Sequence, residues 1–419
     1  MLNSTSGIPS NITLGEAIEG TWDVLVIGAG VAGATASILA AQSGLKVLLV
    51  ESKSFPREKV CGGCLNARSV AMLDRLQVLD ALRDEGAVEL NRFHVQLGSL
   101  GYCWNLPTML SVRRSTLDSL LVERAKCVGV RYLDQTAATV DSTQATPACP
   151  LEVQLKSTGS LVTTGEELAS QPVPRPHVAT RAHCVVVAAG LTRSGLDSPS
   201  SWPSVVQADS RIGVQCLIPA SRWDESNSID DSKSLHAPGV LHMLVGEHGY
   251  VGVCRTDGDT IDVAAAIDPK RVSGKRGIAD QVAATFRECG FHAIPELHTA
   301  RWQSTPHLTR TTPIVAQSRI FLLGDSMGYV EPFTGEGMSW AFAGAFALAP
   351  LLQQALADRD FHTAMVHWND WANHQRRFSQ SVCHWVARQA RNTRRARWVL
   401  RLCDWIPLAR HYLLRKATQ

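Results

Sequence analysis

The chain has 419 residues, 45% of them hydrophobic, with 41 Lys or Arg against 38 Asp or Glu. That length allows a large buried core in two packed domains, and a net charge of +3 makes no general electrostatic case for nucleic acid. No run of about 18 uncharged apolar residues predicts a spanning helix, the polar stretch from Met1 to Glu19 lacks the pattern of a secretory signal, and eleven scattered cysteines fit buried reduced thiols of a cytoplasmic protein better than a disulfide framework.

After a polar tail over residues 1–20, Trp22 to Ile27 is almost wholly apolar, as a strand buried on both faces should be. It runs into Gly28-Ala29-Gly30-Val31-Ala32-Gly33, and the small residues up to Ser43 predict a helix packed closely on that strand. Val47 to Val50 predicts a second buried strand, ending at Glu51 and Ser52. In this setting Gly28 permits a tight turn, Gly30 lets the backbone approach a pyrophosphate and Gly33 allows helix–strand contact. Val31 and Ala32 open a helix whose N–H groups and dipole favour phosphate. Glu51, 18 residues past Gly33, is placed to accept the hydroxyls of an adenosine ribose and disfavours a 2′-phosphate there.

Cys61-Gly62-Gly63-Cys64 follows. With no second cysteine pair or histidine cluster at ligand spacing, no metal is expected. The two glycines permit close approach to a flat ring, and Cys61 is the candidate catalytic side chain; no other is assigned. Helical spacing runs over Ala67 to Leu82 and Leu117 to Ala125, with Arg114 just ahead of the latter. A polar stretch from Thr143 to Ala179 holds strand-like pieces such as Leu151 to Leu155, and Cys184 to Ala188 is a short core strand followed at Gly190.

From about Val205 the pattern changes to β-like runs at Arg211 to Ile218, Val240 to Val245, Tyr250 to Arg255 and Thr260 to Ile267, separated by turn signals such as Asp257-Gly258. A helix is predicted over Ile278 to Cys289, a returning core strand over Ile320 to Leu323, and helices over Met338 to Leu356 and Phe361 to Ala390. The strand ends in Gly324-Asp325-Ser326, where Asp325 can accept hydrogen bonds from ribityl hydroxyls. Pro332 rigidifies the next turn. Gly335, Glu336, Gly337 and Met338 begin a helix whose N-terminus can stabilise charge on a reduced flavin. Two such glycine segments far apart in one chain point to FAD rather than a nicotinamide cofactor alone. From His384 onward nine Arg or Lys face a single acid, Asp404, with Trp398 and Trp405 among them, the pattern of an interfacial basic helix.

Three stretches resemble a known group. Lys59-Val60-Cys61-Gly62-Gly63 is similar to the Lys-x-Cys-Gly-Gly segment of geranylgeranyl-reductase-like flavoproteins, members of the wider p-hydroxybenzoate hydroxylase fold group. Arg114-Ser115-Thr116-Leu117-Asp118 resembles that group's Arg-x-x-Leu/Phe-Asp helix start, and Gly324 to Met338 resembles its Gly-Asp…Pro-x-Thr-Gly-x-Gly stretch. The resemblance implies that Arg114 approaches the FAD phosphates or ribityl chain and that Cys61 walls the ring. The chain departs from the group at Ala188-Ala189-Gly190, where the hydroxylases carry Asp-Gly, and lacks the reductases' Tyr-x-Trp-x-Phe-Pro motif in the substrate sheet. Trp405-Ile406-Pro407 lies in the tail, outside the halogenase context, which ranks halogenation last.

The expected architecture is α/β. A Rossmann-like FAD-binding domain (21–200, closing with 306–380) carries an inserted antiparallel β-rich substrate domain (201–305), C-terminal helices and a basic tail (381–419). The expected function is an FAD-dependent oxidoreductase of secondary metabolism. NAD(P)H reduces the flavin, which then oxidises or hydroxylates a hydrophobic small molecule. The alternative is hydride transfer to a double bond of an isoprenoid or polyketide; the remote one is a non-catalytic flavin- or lipid-binding protein. Peripheral membrane contact is expected through the basic tail.

Overall fold

A computed structural model describes residues 7–141, 149–159, 178–197, 199–223, 234–272, 274–292, 294–333, 335–378 and 380–405. Two eight-stranded sheets organise it. The first has the order Ala316–Gln317, Ile320–Leu322, Val178–Val187, Thr21–Ile27, Val47–Val50, Arg131–Leu133. All but its first strand run parallel, and the hairpin Thr136–Val140/Leu151–Ser157 joins it through Val178–Val187. Val47–Val50 is buried throughout, and Thr21–Ile27 and Val178–Val187 are buried over their last four residues, which explains the Val, Leu and Ile there. Helices Val31–Gln42, Arg114–Cys127 and Glu336–Asp358 cover it.

The second sheet has the order Gln303–His307, Ile212–Pro219, Thr260–Ile267, Gly249–Thr256, Val240–Val245, Val88–Leu97, Leu100–Ser111, Cys64–Leu65. It is antiparallel except where Val240–Val245 runs beside Val88–Leu97. One face packs on helix Gly274–Glu288 through Val214, Val251, Val263 and Phe286; the other looks toward the first sheet. The long hairpin 88–111 precedes residue 200, so this sheet takes strands from both sides of the boundary expected there. The hairpin's apolar alternation slips between Leu90 and Arg92, where the pairing register shifts.

Other elements differ in detail from expectation. The stretch read as a polar tail is packed from Ile8 on, with Ile8 and Ile12 buried. Asn11 holds it there by donating to Val130 O at 2.9 Å and accepting from Tyr132 N–H at 2.7 Å. The helix expected over 67–82 is two, Ala67–Arg75 and Leu79–Asp84, broken where Gln77 takes a φ of 58°. The one expected over 361–390 is Phe361–Phe378 and Gln380–Gln389, followed by a tail helix, Thr393–Trp405. Most of the polar stretch 143–179 and the basic residues beyond 405 lie outside the described residues. One helix, Glu336–Asp358, is long and apolar enough by length and composition to cross a membrane, where none was expected. Half of its most apolar window is buried within this protein, against helices Val31–Gln42 and Phe361–Phe378.

Candidate functional site

At the end of strand Thr21–Ile27, Gly28 has a φ of 100° and a Cβ there would stand 2.6 Å from Ala188 O. Gly33 serves packing too, since its Cβ would meet Gly28 O at 1.9 Å. Gly30 differs. Its Cβ would have side chains as nearest neighbours, guanidinium nitrogens of Arg57 at 3.5 Å and Arg114 at 3.7 Å and then Asp118 Oδ2 at 4.0 Å. As N-cap of helix Val31–Gln42, Gly30 offers no side-chain cap, so the helix start keeps its N–H groups for an anion.

The two arginines share buried Asp118. Arg114 binds it through two nitrogens at 2.9 and 3.1 Å, and Arg57 approaches it at 3.4 Å while reaching Glu51 at 3.3 Å. Burial alone would lower the Arg114 pKa, but Asp118 more than offsets it and holds the guanidinium above its ordinary value. Arg57 Nε is buried without a hydrogen-bond partner among the described residues. Glu51 accepts from Ala29 N–H and Lys53 N–H, each at 3.0 Å, and Ser52 Oγ donates to it at 3.2 Å. Both residues therefore stand beside the cradle rather than in the cavity wall, and Ser52 acts through Glu51.

The second glycine segment closes on the first. Gly324, with φ of 62°, brings the chain so near the cradle helix that a Cβ would lie 2.8 Å from Ala32 Cβ. Asp325 faces Lys59 at 3.4 Å, joining this segment to the one before Cys61. Gly190, with φ of 71°, accepts from Ser326 Oγ at 3.1 Å and lies beside the Lys59 ammonium. Gly335 and Gly337 were expected to let N–H groups of the helix start face the flavin. The structure gives a different reason: Cβ atoms there would stand 2.6 Å from Cys64 O and 2.8 Å from Tyr329 Oη. Both still line the cavity with Met338 and Pro332. Glu336 is buried beneath the loop, accepting from Phe333 N–H at 3.2 Å, and Tyr250 Oη donates to Pro332 O.

Cys61 exchanges main-chain hydrogen bonds with Gln215, donating to its Oε1 at 3.1 Å and accepting from its Nε2 at 2.7 Å. Gly62 lies in the wall, and Gly63, with φ of 63°, fits a space where a Cβ would meet Val112 O at 2.7 Å. Burial pushes the Cys61 thiol up, against the pull of Arg114, so it stands as a neutral thiol rather than a thiolate nucleophile. Sequence reasoning gave no role to Arg57, Gln215 and Asp262, and none to Asp118 beyond closing the motif that Arg114 opens. The Arg114/Asp118 spacing of four on a helix and the lone acid in the apolar run Ile261-Asp262-Val263 were the available signals.

Gly30, Lys59, Cys61, Arg114, Gly190 and Gly324 are among the residues that line one cavity of ≈ 1230 Å³, open mouth included, between the two sheets. They fit FAD. An uncapped helix start, a glycine facing two charged arginines and the orphaned Arg57 Nε suit a pyrophosphate, while Asp325 suits a polyol. Among the described residues no cluster of His, Cys, Asp or Glu could hold a metal.

Residues 21–159 match the FAD binding domain family model. Among curated proteins the chain is 25% identical over 393 residues to conditioned medium factor receptor 1 of Dictyostelium discoideum, spanning 87% of this chain and 70% of that one. It is 34% identical over 124 residues to menaquinone reductase of Mycobacterium tuberculosis, a match that spans 28% of this chain and only 29% of the relative. Solved structures with the same fold include flavin-dependent brominase Bmp2 (17% identity, TM-score 0.71, 95% of this chain and 94% of that one). Another is p-nitrophenol 4-monooxygenase of Pseudomonas putida (15% identity, TM-score 0.71, 95% and 98%). The fold is that of FAD-dependent monooxygenases and halogenases of the p-hydroxybenzoate hydroxylase type, and halogenases ranked last from sequence stand among its neighbours.

Proposed function

We propose that this chain, an FAD-dependent oxidoreductase, oxidises or hydroxylates a planar apolar small molecule held between the FAD site and the second sheet, with NAD(P)H as the reductant. The observation that carries this reading is the cavity face of that sheet. Gly213, Gly252, Ala264 and Ala266 lie on the same face of three adjacent strands and pave a flat apolar floor. Leu241, Met243 and Phe333 wall it, and such a slot fits a flat ring system better than a flexible polar ligand.

When bound, FAD supplies two-electron transfer and, once reduced, reactivity toward dioxygen. The chain's own residues do the rest. Arg57, Arg114 and the helix start at Gly30 bind the phosphates; Asp325, clasped by Lys59, orients the polyol. The buried ion pair of Arg211 with Glu331 at 3.0 Å ties the Pro332 loop to the second sheet. Tyr250 holds the same loop through Pro332 O, which keeps the wall closed to water. The helix starting at Glu336 directs its N-terminus at the cavity, where it favours negative charge.

A second reading, hydride transfer to a double bond, is favoured by Cys61 and Gly62 in the cavity wall and by the partial likeness to a menaquinone reductase. Measuring NADH and NADPH consumption by the FAD-loaded protein with planar aromatic substrates, with and without oxygen, separates the two. Oxygen-dependent product is expected. Turnover of an alkene without oxygen would replace the first reading by the second, and no substrate-stimulated consumption in either condition would overturn both.

We also propose that the tail helix rests on anionic lipid. Trp398, Leu402 and Trp405 form an exposed stripe at helical spacing, flanked by exposed Arg394, Arg395 and Arg401.

A further inference from the structure

Among the described second-sheet residues that line the cavity, Asp262 is the one carboxyl, and it is only 3% exposed. Its Oδ2 accepts from Gln215 Nε2 at 2.8 Å. Gln215 is committed on its other side to both main-chain polar groups of Cys61. Asp262 Oδ1 is left buried with no hydrogen-bond partner among the described residues. Buried polar atoms are rarely left this way, and each exception calls for a strain, functional, water or ion explanation.

The surroundings decide what that oxygen carries. Cys254 is its cross-strand neighbour, Cys61 and Cys64 belong to the segment above, and a Cβ at Gly63 would stand 3.3 Å from Oδ2. Glu58 and Arg113 act from farther off with opposite signs. Burial first, then Cys254, hold the carboxyl well above the usual carboxylate range, and the Gln215 bond only partly opposes them. Its surroundings thus favour the protonated form of Asp262. Since Oδ2 is already an acceptor, the proton belongs on Oδ1, giving an O–H donor without an acceptor. The charged Arg57 and Arg114 lie on the cofactor side and are occupied by Glu51 and Asp118, so a carboxylate ligand would find no counter-charge on this face.

We propose that Asp262, positioned by Gln215, is a ligand-recognition site that donates a hydrogen bond from Oδ1 to a carbonyl or quinone-type oxygen. The substrate is then a planar apolar molecule carrying such an oxygen on the edge beside Asp262, with its ring over Gly252 and Ala264. This rests on reading the cavity as a substrate slot.

The test uses the full FAD-loaded chain with 9-fluorenone and fluorene, matched in shape and differing in the carbonyl, with binding followed by fluorescence quenching. Wild type is expected to prefer fluorenone at least tenfold, and the preference should decline as pH rises through the raised Asp262 pKa. Asp262→Ala should erase the preference while FAD content and absorption spectrum stay unchanged. Asp262→Asn, which keeps an N–H donor on the same stem, should retain most of it without the pH decline. An Ala variant that keeps the preference overturns the proposal, as does one that alters the FAD spectrum and leaves the preference intact, because the acid then serves the cofactor. Equal binding of both probes by wild type overturns the proposal and leaves the apolar slot standing. Binding of neither removes the slot reading and the proposal with it.

Discussion

The first sheet meets the cavity with its strand ends and the second meets it with a face. At the strand ends the wall is main chain: Gly28, Gly30, Gly190 and Gly324 bring backbone groups close, and the charged side chains behind them are tied in pairs, Arg114 to Asp118 and Lys59 to Asp325. On the face the wall is side chain, trimmed to glycine and alanine at Gly252 and Ala264 and bearing one unsatisfied acid. A main-chain site tolerates little change in its glycines because another backbone already occupies the neighbouring space. A side-chain site tolerates change in shape and answers by changing what it binds.

The sharpest way to break that contrast is to add one methyl group to each wall. Gly33→Ala places a Cβ 1.9 Å from Gly28 O, with no side chain to move aside, and is expected to cost about 4 kcal/mol or more and abolish FAD retention. Gly252→Ala meets nothing nearer than 3.7 Å and should stay within about 1 kcal/mol of wild type with FAD intact. Denaturant midpoints and the FAD-to-protein ratio measure both. Comparable losses in the two variants would end the distinction.

Next in size is Arg114→Met. It leaves Asp118, fully buried, with Arg57 at 3.4 Å as its remaining cation. Removing one partner of a buried pair typically costs about 3–5 kcal/mol; with Arg57 still present the lower end is expected, together with at least tenfold weaker FAD binding by titration of the apoprotein. An unchanged FAD affinity would remove Arg114 from the phosphate site.

This contrast also explains what could be read without a structure. The cradle, Glu51 and the segment from Gly324 to Met338 were legible because each is local: a strand, a tight turn and a helix start within about twenty residues. Their physical reasons were only partly legible. Gly335 and Gly337 were read as letting helix N–H groups face the ring, whereas crowding by Cys64 O, distant in sequence, and by Tyr329 Oη on the preceding short strand requires them. The floor of the slot was hidden altogether. It exists because Gly213 pairs with Ala266 and Gly252 with Ala264 across three strands, a register no single strand announces. Asp262 stood out as one acid in an apolar run, but its missing partner is a property of the packed sheet.

A smaller effect separates the walls by pH. Asp262 has its carboxyl raised in the folded protein, so folding favours the protonated form. Its contribution is present in full below the unfolded carboxyl value, near ~3.9, and is lost as pH rises from there through the folded pKa. Asp262→Asn should therefore show a flatter decline of unfolding free energy over that range than wild type, measured by denaturant titration at several pH values. An identical slope in the two proteins would mean that the carboxylate ionises in the fold without penalty.

The smallest effect on the fold belongs to a surface that neither wall uses. Trp398 is 72% exposed and Trp405 88%, with Leu402 between them at 41%, whereas Ala396 on the opposite side of the same helix is buried against the second sheet. Replacing both tryptophans by alanine removes little packing, and stability should stay within about 0.5 kcal/mol. If the stripe rests on lipid, the same double variant loses the apolar anchor while keeping its arginines. Cosedimentation with vesicles rich in anionic lipid should then fall about tenfold, and what remains should be released by salt, since electrostatic attraction alone is screened over about 10 Å at 0.1 M. Binding that survives both the substitutions and the salt would assign the membrane contact elsewhere; a large loss of stability would show that the stripe packs on this protein instead.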